Sequence, residues 1–247
     1  MDTGLAGRTA IVCGASAGIG LGCAEALAAE GANVVMFARR AELLEQEAER
    51  IGGVPVAGDV RNPKELERLV ATAVDRFGGV GVVVLNSGGP PRTRSFEFSD
   101  EQLEGAVDLL LLSAIRLVRL CLPHLEASGH GRVIAITSSA VKEPIETLAL
   151  SSAVRPGLVG WLKTASRELG PKGVTVNSVM PGRIDTERIR EVYPEGPTEA
   201  DLATIPLRRL GTPREIGDVV CFLASDRAAY VTGASIGVDG GLLRGIL

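Results

Sequence analysis

One short stretch near the start of the chain decides the fold: Thr9–Cys13, TAIVC, runs without interruption into residues 14–20, GASAGIG. The first five residues are largely apolar and show no alternation with polar ones, which predicts a strand buried on both faces. From Ile19 to Glu30 the apolar residues recur with helical spacing. Glycines between a strand and a helix let the backbone turn tightly, and the free N–H groups at the helix start attract a diphosphate. The stretch therefore predicts a nucleotide-binding turn at the edge of a parallel sheet.

The same alternation continues along the chain. Short runs rich in Val and Ile predict further buried strands, and the longer segments between them have amphipathic helical spacing. The predicted strands are residues 9–13, 33–38, 54–57, 80–85, 132–137, 174–179 and 235–238. The predicted helices are residues 19–30, 41–51, 63–77, 100–127, 149–169 and 213–224. Such repetition predicts a single α/β domain over residues 1–247, a Rossmann-type, doubly wound parallel seven-stranded sheet with helices on both faces.

One segment departs from this rhythm. Residues 183–206 contain Pro194, Gly196, Pro197 and Pro206 and show neither helical nor strand spacing. Long excursions in compact α/β domains usually carry function. We therefore expect an irregular, flexible flap over a substrate site.

Composition excludes several classes of protein. The chain has 247 residues, 45% of them hydrophobic, and a net charge of −4, which argues against disorder and against a nucleic-acid partner. No apolar run approaches the roughly 20 residues of a membrane helix, and no signal-peptide pattern opens the chain. The four cysteines are far apart and the two histidines lack partners, so we expect neither disulfides nor a metal site. These features favour a cytoplasmic protein with reduced thiols.

The end of the second predicted strand bears on the choice of coenzyme. An NAD site usually places a carboxylate here to accept hydrogen bonds from both ribose hydroxyls, and Ala38 cannot do so. Arg39 and Arg40 follow, and their guanidinium groups suit a 2′-phosphate. The residues thus favour NADP(H) over NAD(H). The alternative is that both arginines only lie at the exposed start of the next helix.

Five motifs together make the sequence resemble the short-chain dehydrogenase/reductase family from end to end. They are the glycine motif with Gly14, Gly18 and Gly20, then Gly58-Asp59-Val60, Asn86-Ser87-Gly88-Gly89, residues 180–186 and, after Gly233, residues 238–241. Cys13 stands where the family usually has Thr, and the second and third residues of the Asn86 motif are changed. Among subfamilies, the chain most resembles the 3-oxoacyl-acyl-carrier-protein reductases. The resemblance implies hydride transfer between a nicotinamide coenzyme and a carbonyl or hydroxyl group.

The resemblance also implies which residues contact the coenzyme. The segment around Asp59 resembles the one that contacts adenine, and the Pro-Gly segment resembles the one that holds the nicotinamide carboxamide. Together with the glycine motif and the two arginines, the resemblance predicts a set of coenzyme-binding residues. These are Gly14, Ser16, Gly18, Ile19, Gly20, Arg39, Arg40, Asp59, Val60, Asn86, Gly88, Arg155, Pro181, Gly182, Ile184 and Thr186.

The family's catalytic pattern is altered in this chain. The family uses a Ser, a Tyr-x-x-x-Lys pair one helical turn apart, and an Asn on the preceding helix. Ser138 matches the Ser, but Ser151 and Arg155 occupy the Tyr and Lys positions and Leu110 the Asn position. A nearby ammonium lowers the pKa of a phenol so that it can exchange a proton with the substrate. Arg155 stays cationic and can hydrogen-bond the ribose, whereas Ser151 is too short and too weakly acidic to replace the phenol.

A proton donor must therefore come from elsewhere. Lys142 follows Ser138 on a loop that should border the substrate, although a solvated lysine paired with Glu143 is the alternative. Tyr193 in the flap is a second candidate. A water held by the two serines and Arg155 is a third, and the residues alone leave all three open.

The leading hypothesis is an NADP(H)-dependent oxidoreductase acting on a small carbonyl or alcohol, a 3-oxoacyl group or related ketone, with an altered catalytic site at Ser138, Ser151 and Arg155. A second is a non-catalytic dinucleotide-binding homologue that serves as a sensor or partner subunit. Non-redox enzymes on the same fold, such as halohydrin dehalogenases, are a third. The family resemblance further implies a homo-oligomer, dimer or tetramer, formed through the helices at residues 100–127 and 149–169.

Overall fold

Parallel strands form one central sheet of seven strands in the computed structural model, which describes residues 2–246. In chain order they are β1 (Thr9–Cys13), β2 (Asn33–Ala38), β3 (Val54–Ala57), β4 (Val82–Leu85), β5 (Arg132–Ile136), β6 (Thr175–Pro181) and β7 (Ser235–Val238). Their order across the sheet is β3-β2-β1-β4-β5-β6-β7. The order reverses between β1 and β4, and the carboxyl ends of the strands beside such a reversal form a crevice suited to ligands.

Helices cover both faces of this sheet. They are α1 (Gly18–Ala29), α2 (Ala41–Ile51), α3 (Pro63–Phe77), α4 (Asp100–Val107), α5 (Ser113–Ala127), α6 (Ala149–Leu169), α7 (Glu187–Val192), α8 (Glu199–Ala203) and α9 (Pro213–Ala224). Apolar residues of α1, α2 and α9 pack on one face, and those of α3, α5 and α6 pack on the other. Alternate residues of each central strand join opposite cores, as Val12 and Ile11 do. The sequence-based fold prediction is therefore confirmed.

The predicted strand boundaries are close to those observed, with small corrections. β4 begins at Val82, two residues later than predicted, and β5 ends one residue early, at Ile136. β6 runs on to Pro181 because β7 pairs with it there, with Pro181 opposite Val238.

The helix predicted over residues 100–127 was wrong in its middle. A π-helical turn, Asp108–Leu112, separates α4 from α5. The Ser113 hydroxyl donates a hydrogen bond of 2.6 Å to the Leu109 carbonyl, which supports the wider turn. Turns of this kind are frequent at functional sites, and Leu109 lines the main cleft of the protein.

The flap prediction was also partly wrong, because residues 183–206 contain α7 and α8. The Thr198 hydroxyl accepts the Asp201 N–H and the Asp201 carboxylate accepts the Thr198 N–H, which caps α8. Pro194 and Pro197 lie between the two helices and Pro206 follows the second. Proline disrupts the interior of a helix but is tolerated in its first turn. The prolines therefore separate the two flap helices and do not prevent them from forming.

Close contact between two helices fixes the start of α1. A Cβ on Gly22 of α1 would overlap the Pro213 carbonyl, and one on Gly217 of α9 would overlap the Gly22 carbonyl. Glycine at both positions lets the two backbones touch. The crossing holds the N-terminus of α1 rigidly against the sheet.

Other sequence expectations concern targeting and metals. Within residues 2–246, no helix is long and apolar enough to cross a membrane. In the same part of the chain, no group of three or more His, Cys, Asp or Glu side chains could hold a metal ion. The four cysteines are buried and unbonded, and burial raises the pKa of the Cys13 and Cys23 thiols to about 12.

Candidate functional site

A continuous cleft of about 690 Å³ runs along the carboxyl ends of the central strands. Its walls come from the loops after β1 and β4, the ends of β2 and β5, the start of α6 and the start of the flap. Its volume is in the usual range for ligand sites. Every residue that the sequence assigned to coenzyme or substrate lines this cleft, except Gly20.

The glycine-rich loop after β1 forms part of the cleft wall. Gly14 and Gly18 have positive φ angles, 62° and 56°, in the region that favours glycine. A Cβ on Gly20 would overlap the Gly14 carbonyl, so Gly20 packs α1 closely beneath the loop and does not form part of the cleft wall. The Asn86 Nδ2 donates to the Cys13 carbonyl at 3.1 Å, which ties the loop after β4 to the end of β1. Backbone geometry and close packing thus define this part of the cleft.

The two predicted phosphate-binding arginines lie at the end of β2. Both are exposed and both line the cleft. Arg40 also precedes α2 as its N-cap, without a side-chain capping bond. Its Nη1 contacts both carboxylate oxygens of Glu187 at 3.0 and 3.2 Å. The arginines therefore occupy the start of a helix and also face the cleft.

An ion pair holds the segment after β3. The Arg61 guanidinium donates to both Asp59 oxygens, with a shortest distance of 2.6 Å. These hydrogen bonds and the nearby positive charges keep the pKa of Asp59 below its ordinary value despite partial burial. The Asp59 N–H in turn donates to the Glu65 carboxylate at 2.6 Å. Arg61 lines the cleft and was missed from the sequence, although it follows the Asp59 motif by one residue.

Another part of the cleft wall contains Ser138, Ser151 and Arg155. Ser138 follows β5, and its hydroxyl accepts the Ala140 N–H at 3.1 Å, which positions the side chain. Ser151 and Arg155 lie one turn apart on α6. The Arg155 Nε donates to the Ser151 Oγ at 3.1 Å, and its Nη1 donates to the Ile136 carbonyl at 3.1 Å. The structure thus brings together the three residues that the sequence assigned to chemistry.

Arg155 is a buried cation at the base of this site. Its residue is 8% exposed, and it forms no ion pair within residues 2–246. Burial lowers the pKa of its guanidinium to about 10, because the charged form loses water. The group is therefore still protonated at neutral pH. It places a positive charge beside the Ser151 hydroxyl.

The other two proton-donor candidates lie outside the cleft. Lys142 is exposed and is not part of the cleft wall. Glu143 does not serve it as a partner, because the Glu143 carboxylate accepts the N–H groups of Arg244 and Gly245 at 2.6 and 3.1 Å. Tyr193 also lies off the wall, with Arg183 stacked 6.0 Å from its ring centroid. In this conformation neither side chain is placed to deliver a proton.

The first flap helix adds residues that sequence reasoning missed. Glu187, Arg188 and Glu191 of α7 line the cleft. The Arg188 Nη2 donates to the Pro90 carbonyl at 3.0 Å, which joins the flap to the loop after β4. These residues follow the Pro-Gly segment directly, and that position could have indicated a place in the cleft wall. An acidic residue at the start of a helix is, however, already explained by its favourable interaction with the helix dipole.

Comparisons with known proteins agree with this geometry. A family model described as enoyl-(acyl carrier protein) reductase matches residues 14–243. The chain is 36% identical to the 3-oxoacyl-[acyl-carrier-protein] reductase FabG of Vibrio cholerae over 240 residues, covering 96% of this chain and 98% of the relative. It is 38% identical to the FabG of Pseudomonas aeruginosa over 243 residues, covering 96% and 98%. The structure of L-sorbose reductase from Gluconobacter frateurii, solved with NADPH and L-sorbose, matches with a TM-score of 0.94, 29% identity and full coverage of both chains.

These matches show the family. The chain belongs to the short-chain dehydrogenase/reductase family, and within it the chain is similar to the 3-oxoacyl-acyl-carrier-protein reductases. The resemblance stated from the sequence motifs is confirmed.

Proposed function

We propose that the protein is an NADP(H)-dependent oxidoreductase that transfers hydride between nicotinamide and the carbonyl or hydroxyl group of a small substrate, a 3-oxoacyl group or a related ketone. One observation carries this proposal. The glycine-rich loop, the two arginines after β2 and the Ser138, Ser151 and Arg155 group line one continuous cleft. The relatives named as 3-oxoacyl reductases and the similar reductase solved with NADPH support the same reaction class.

The cleft fits a dinucleotide. With Gly14 and Gly18 at positive φ angles, the loop turns tightly and carries only small residues between them, so that a diphosphate can lie against the N-terminus of α1. Arg39 and Arg40 supply cationic donors for a 2′-phosphate at the far end. When bound, the coenzyme supplies or accepts the hydride.

The serines would hold the substrate oxygen. Because the Arg155 Nε donates to the Ser151 Oγ, the Ser151 O–H remains free to donate to a carbonyl oxygen. The buried positive charge of Arg155 stabilises negative charge that develops on that oxygen, since charges interact strongly where water is excluded. Within residues 2–246, no Tyr, Lys, His or Cys lines the cleft. We therefore assign the final proton to a solvent water held by the two hydroxyls.

Binding and turnover together test the proposal. Calorimetric titration should show NADPH binding more tightly than NADH, and NADPH should be consumed with one or more members of a panel of ketones and 3-oxoacyl thioesters. Arg39→Asp should weaken NADPH far more than NADH, whereas Arg76→Asp on α3, an exposed arginine outside the cleft, should affect neither. Absence of binding by both coenzymes would refute the proposal.

A second candidate function is a non-catalytic dinucleotide-binding homologue, a sensor or partner subunit. The observation that favours it is the position of Lys142 and Tyr193 outside the cleft, which leaves the site without a side-chain proton donor at neutral pH. This protein would bind NADPH tightly and consume none with any substrate on the panel.

We also propose a homo-oligomer formed through the helices α4, α5 and α6. Leu112 at the end of the π-helical turn is 38% exposed. On α6, added Cβ atoms at Gly157 and Gly160 would meet nothing within 4 Å, so this exposed side of the helix can take a close partner. Light scattering after gel filtration should give a dimer or tetramer, and Gly160→Arg should shift it to smaller species. A monomeric wild type would refute this part.

A further inference from the structure

A flap carboxylate lies in the part of the cleft that we assign to the 2′-phosphate. Glu187 is the first residue of α7, and both of its oxygens contact the Arg40 Nη1, at 3.0 and 3.2 Å. Both residues line the cleft. The ion pair thus joins the end of β2 to the start of the flap across the opening.

The neighbouring contacts place the start of α7 directly over the glycine-rich loop. The Thr186 Cγ2 would be 3.2 Å from a Cβ on Gly18, so the flap begins in close contact with the loop proposed to hold the diphosphate. On the other side, the Arg188 Nη2 donates to the Pro90 carbonyl at 3.0 Å. Two adjacent residues, Glu187 and Arg188, therefore attach the flap to opposite walls of the cleft.

We propose that Glu187 selects between coenzymes, because its carboxylate and the 2′-phosphate compete for Arg40. This inference rests on the proposed function. Two anions at one guanidinium repel each other, so NADP(H) must displace Glu187 to use Arg40. A phosphate carries about −1.5 to −2 charges against −1 for a carboxylate and offers more acceptor oxygens, so it prevails. NAD(H) has no 2′-phosphate and leaves the ion pair intact.

Displacement also has a conformational consequence. It releases the contact of Glu187 with Arg40 and keeps the one between Arg188 and Pro90. NADP(H) would therefore loosen the β2 side of the flap, and NAD(H) would not. Glu187 thus sets the affinity for the phosphorylated coenzyme below what the arginines alone would provide.

The expected effect is modest because the ion pair is exposed. The side chains of Arg40 and Glu187 are 50% and 64% exposed. Exposed ion pairs of this kind change a binding constant by about two- to fivefold.

Calorimetry with coenzyme fragments tests the competition without any turnover. Glu187→Gln should bind adenosine 2′,5′-bisphosphate and NADPH about two- to fivefold more tightly than the wild type, with ADP and NADH unchanged. Glu191→Gln is the matched control: it removes a carboxylate from the same helix and the same cleft, but one that pairs with Arg188 at 3.4 Å. Any effect of this control should be equal for phosphorylated and unphosphorylated ligands. In an Arg40→Met background, the gain from Glu187→Gln should shrink.

Three results separate the outcomes. If Glu187→Gln gains equal affinity for the 2′-phosphorylated and the unphosphorylated ligands, Glu187 hinders all ligands alike. That result would overturn the proposed competition for Arg40. Unchanged or weaker binding of adenosine 2′,5′-bisphosphate to Glu187→Gln, with the wild type still preferring NADPH, would overturn this inference and leave the proposed function standing. A wild type that binds neither coenzyme would overturn the proposed function, and this inference with it.

Discussion

The two ends of the cleft are built by different means. At the glycine-rich loop the backbone itself is the binding surface: Gly14 and Gly18 have positive φ angles, and Gly20 leaves room for the Gly14 carbonyl. At the other end the surface consists of side chains on α6, where Ser151 and Arg155 satisfy one another by a hydrogen bond of 3.1 Å.

This difference predicts how readily each end accepts substitution. A Cβ added at Gly20 collides with backbone that cannot move away, so substitution there disturbs the fold. Ser151 and Arg155 find hydrogen-bond partners in each other and in the Ile136 carbonyl, so we expect α6 to accept other side chains at these positions. The fold constrains the coenzyme end much more tightly than the catalytic end.

The sharpest test restores the family's side chains at the catalytic end alone. Ser151→Tyr combined with Arg155→Lys should raise kcat for NADPH-dependent ketone reduction at pH 7 by about 10²–10⁴-fold, because a phenol beside an ammonium is an effective general acid. Steady-state kinetics on the substrate panel measures it. Ser151→Phe with Arg155→Lys is the matched control, since it fills the same space without the hydroxyl. If the Ser151→Tyr, Arg155→Lys variant is no faster than this control, then α6 does not accept new catalytic side chains at these two positions, contrary to our argument.

The opposite test disturbs the coenzyme end. Gly20→Ala should lower the free energy of unfolding by about 1–3 kcal/mol, because the new methyl overlaps the Gly14 carbonyl and must push α1 away. Coenzyme binding should weaken with it. Chemical denaturation and calorimetry give the two values. In the control Gly105→Ala on α4, where an added Cβ meets nothing within 4 Å, stability should hold or rise. If Gly20→Ala were as stable as the wild type, the fold would not constrain the glycine-rich end more tightly than the α6 end.

The buried charge of Arg155 should affect both coenzyme binding and the free energy of unfolding. Arg155→Met should weaken NADPH binding by about tenfold, from the loss of a charged hydrogen-bond donor, with little loss of stability because an unpaired charge no longer has to be buried. The wild-type pKa of about 10 is below the ordinary value for arginine, so the folded state releases this proton first. The cost of burying the charge is therefore full at neutral pH and declines as the pH rises through 10.

Urea denaturation of both proteins at pH 7, 9 and 10.5 measures this dependence. The stability of the wild type relative to Arg155→Met should be constant from pH 7 to 9 and increase at pH 10.5. A constant difference across the whole range would mean that Arg155 is not desolvated.

The smallest effect belongs to a region away from both ends. Glu215 caps α9 through Thr212 and pairs with Arg209, and these contacts lower the pKa of its carboxyl to about 2. Because the folded pKa is below the unfolded one, the contribution is present above about pH 4.3 and is lost as the pH falls towards 2. Glu215→Gln should lower the Tm by about 2–4 °C at pH 7, and by less at pH 3. The exposed Glu104→Gln serves as control, and a pH-independent loss would contradict the assignment.

Local signals account for most of what the sequence predicted correctly. α3 and α9 begin as predicted at Pro63 and Pro213, because Asn62 and Thr212 accept hydrogen bonds from the first helical turn. The strands fall within two residues of prediction because strands buried on both faces are continuous runs of Val and Ile. The flap helices were missed because the prolines outweighed the local capping pattern of Thr198 and Asp201. The π-helical turn was missed because its leucine-rich sequence also fits a continuous helix.

The sequence by itself determined the parallel sheet, the glycine-rich loop and the residues that face one cleft, because spacing and residue type act locally and the sheet order brings the carboxyl ends of the strands together. Only the tertiary structure decided which side chains contact one another. It placed Glu187 on Arg40 although 147 positions separate them, and it buried Arg155 against Ser151 and Ile136. It also left Lys142 and Tyr193 outside the cleft wall. The orientation of a loop side chain and the burial of a charge depend on residues distant in the chain, so they become defined only once the domain has packed.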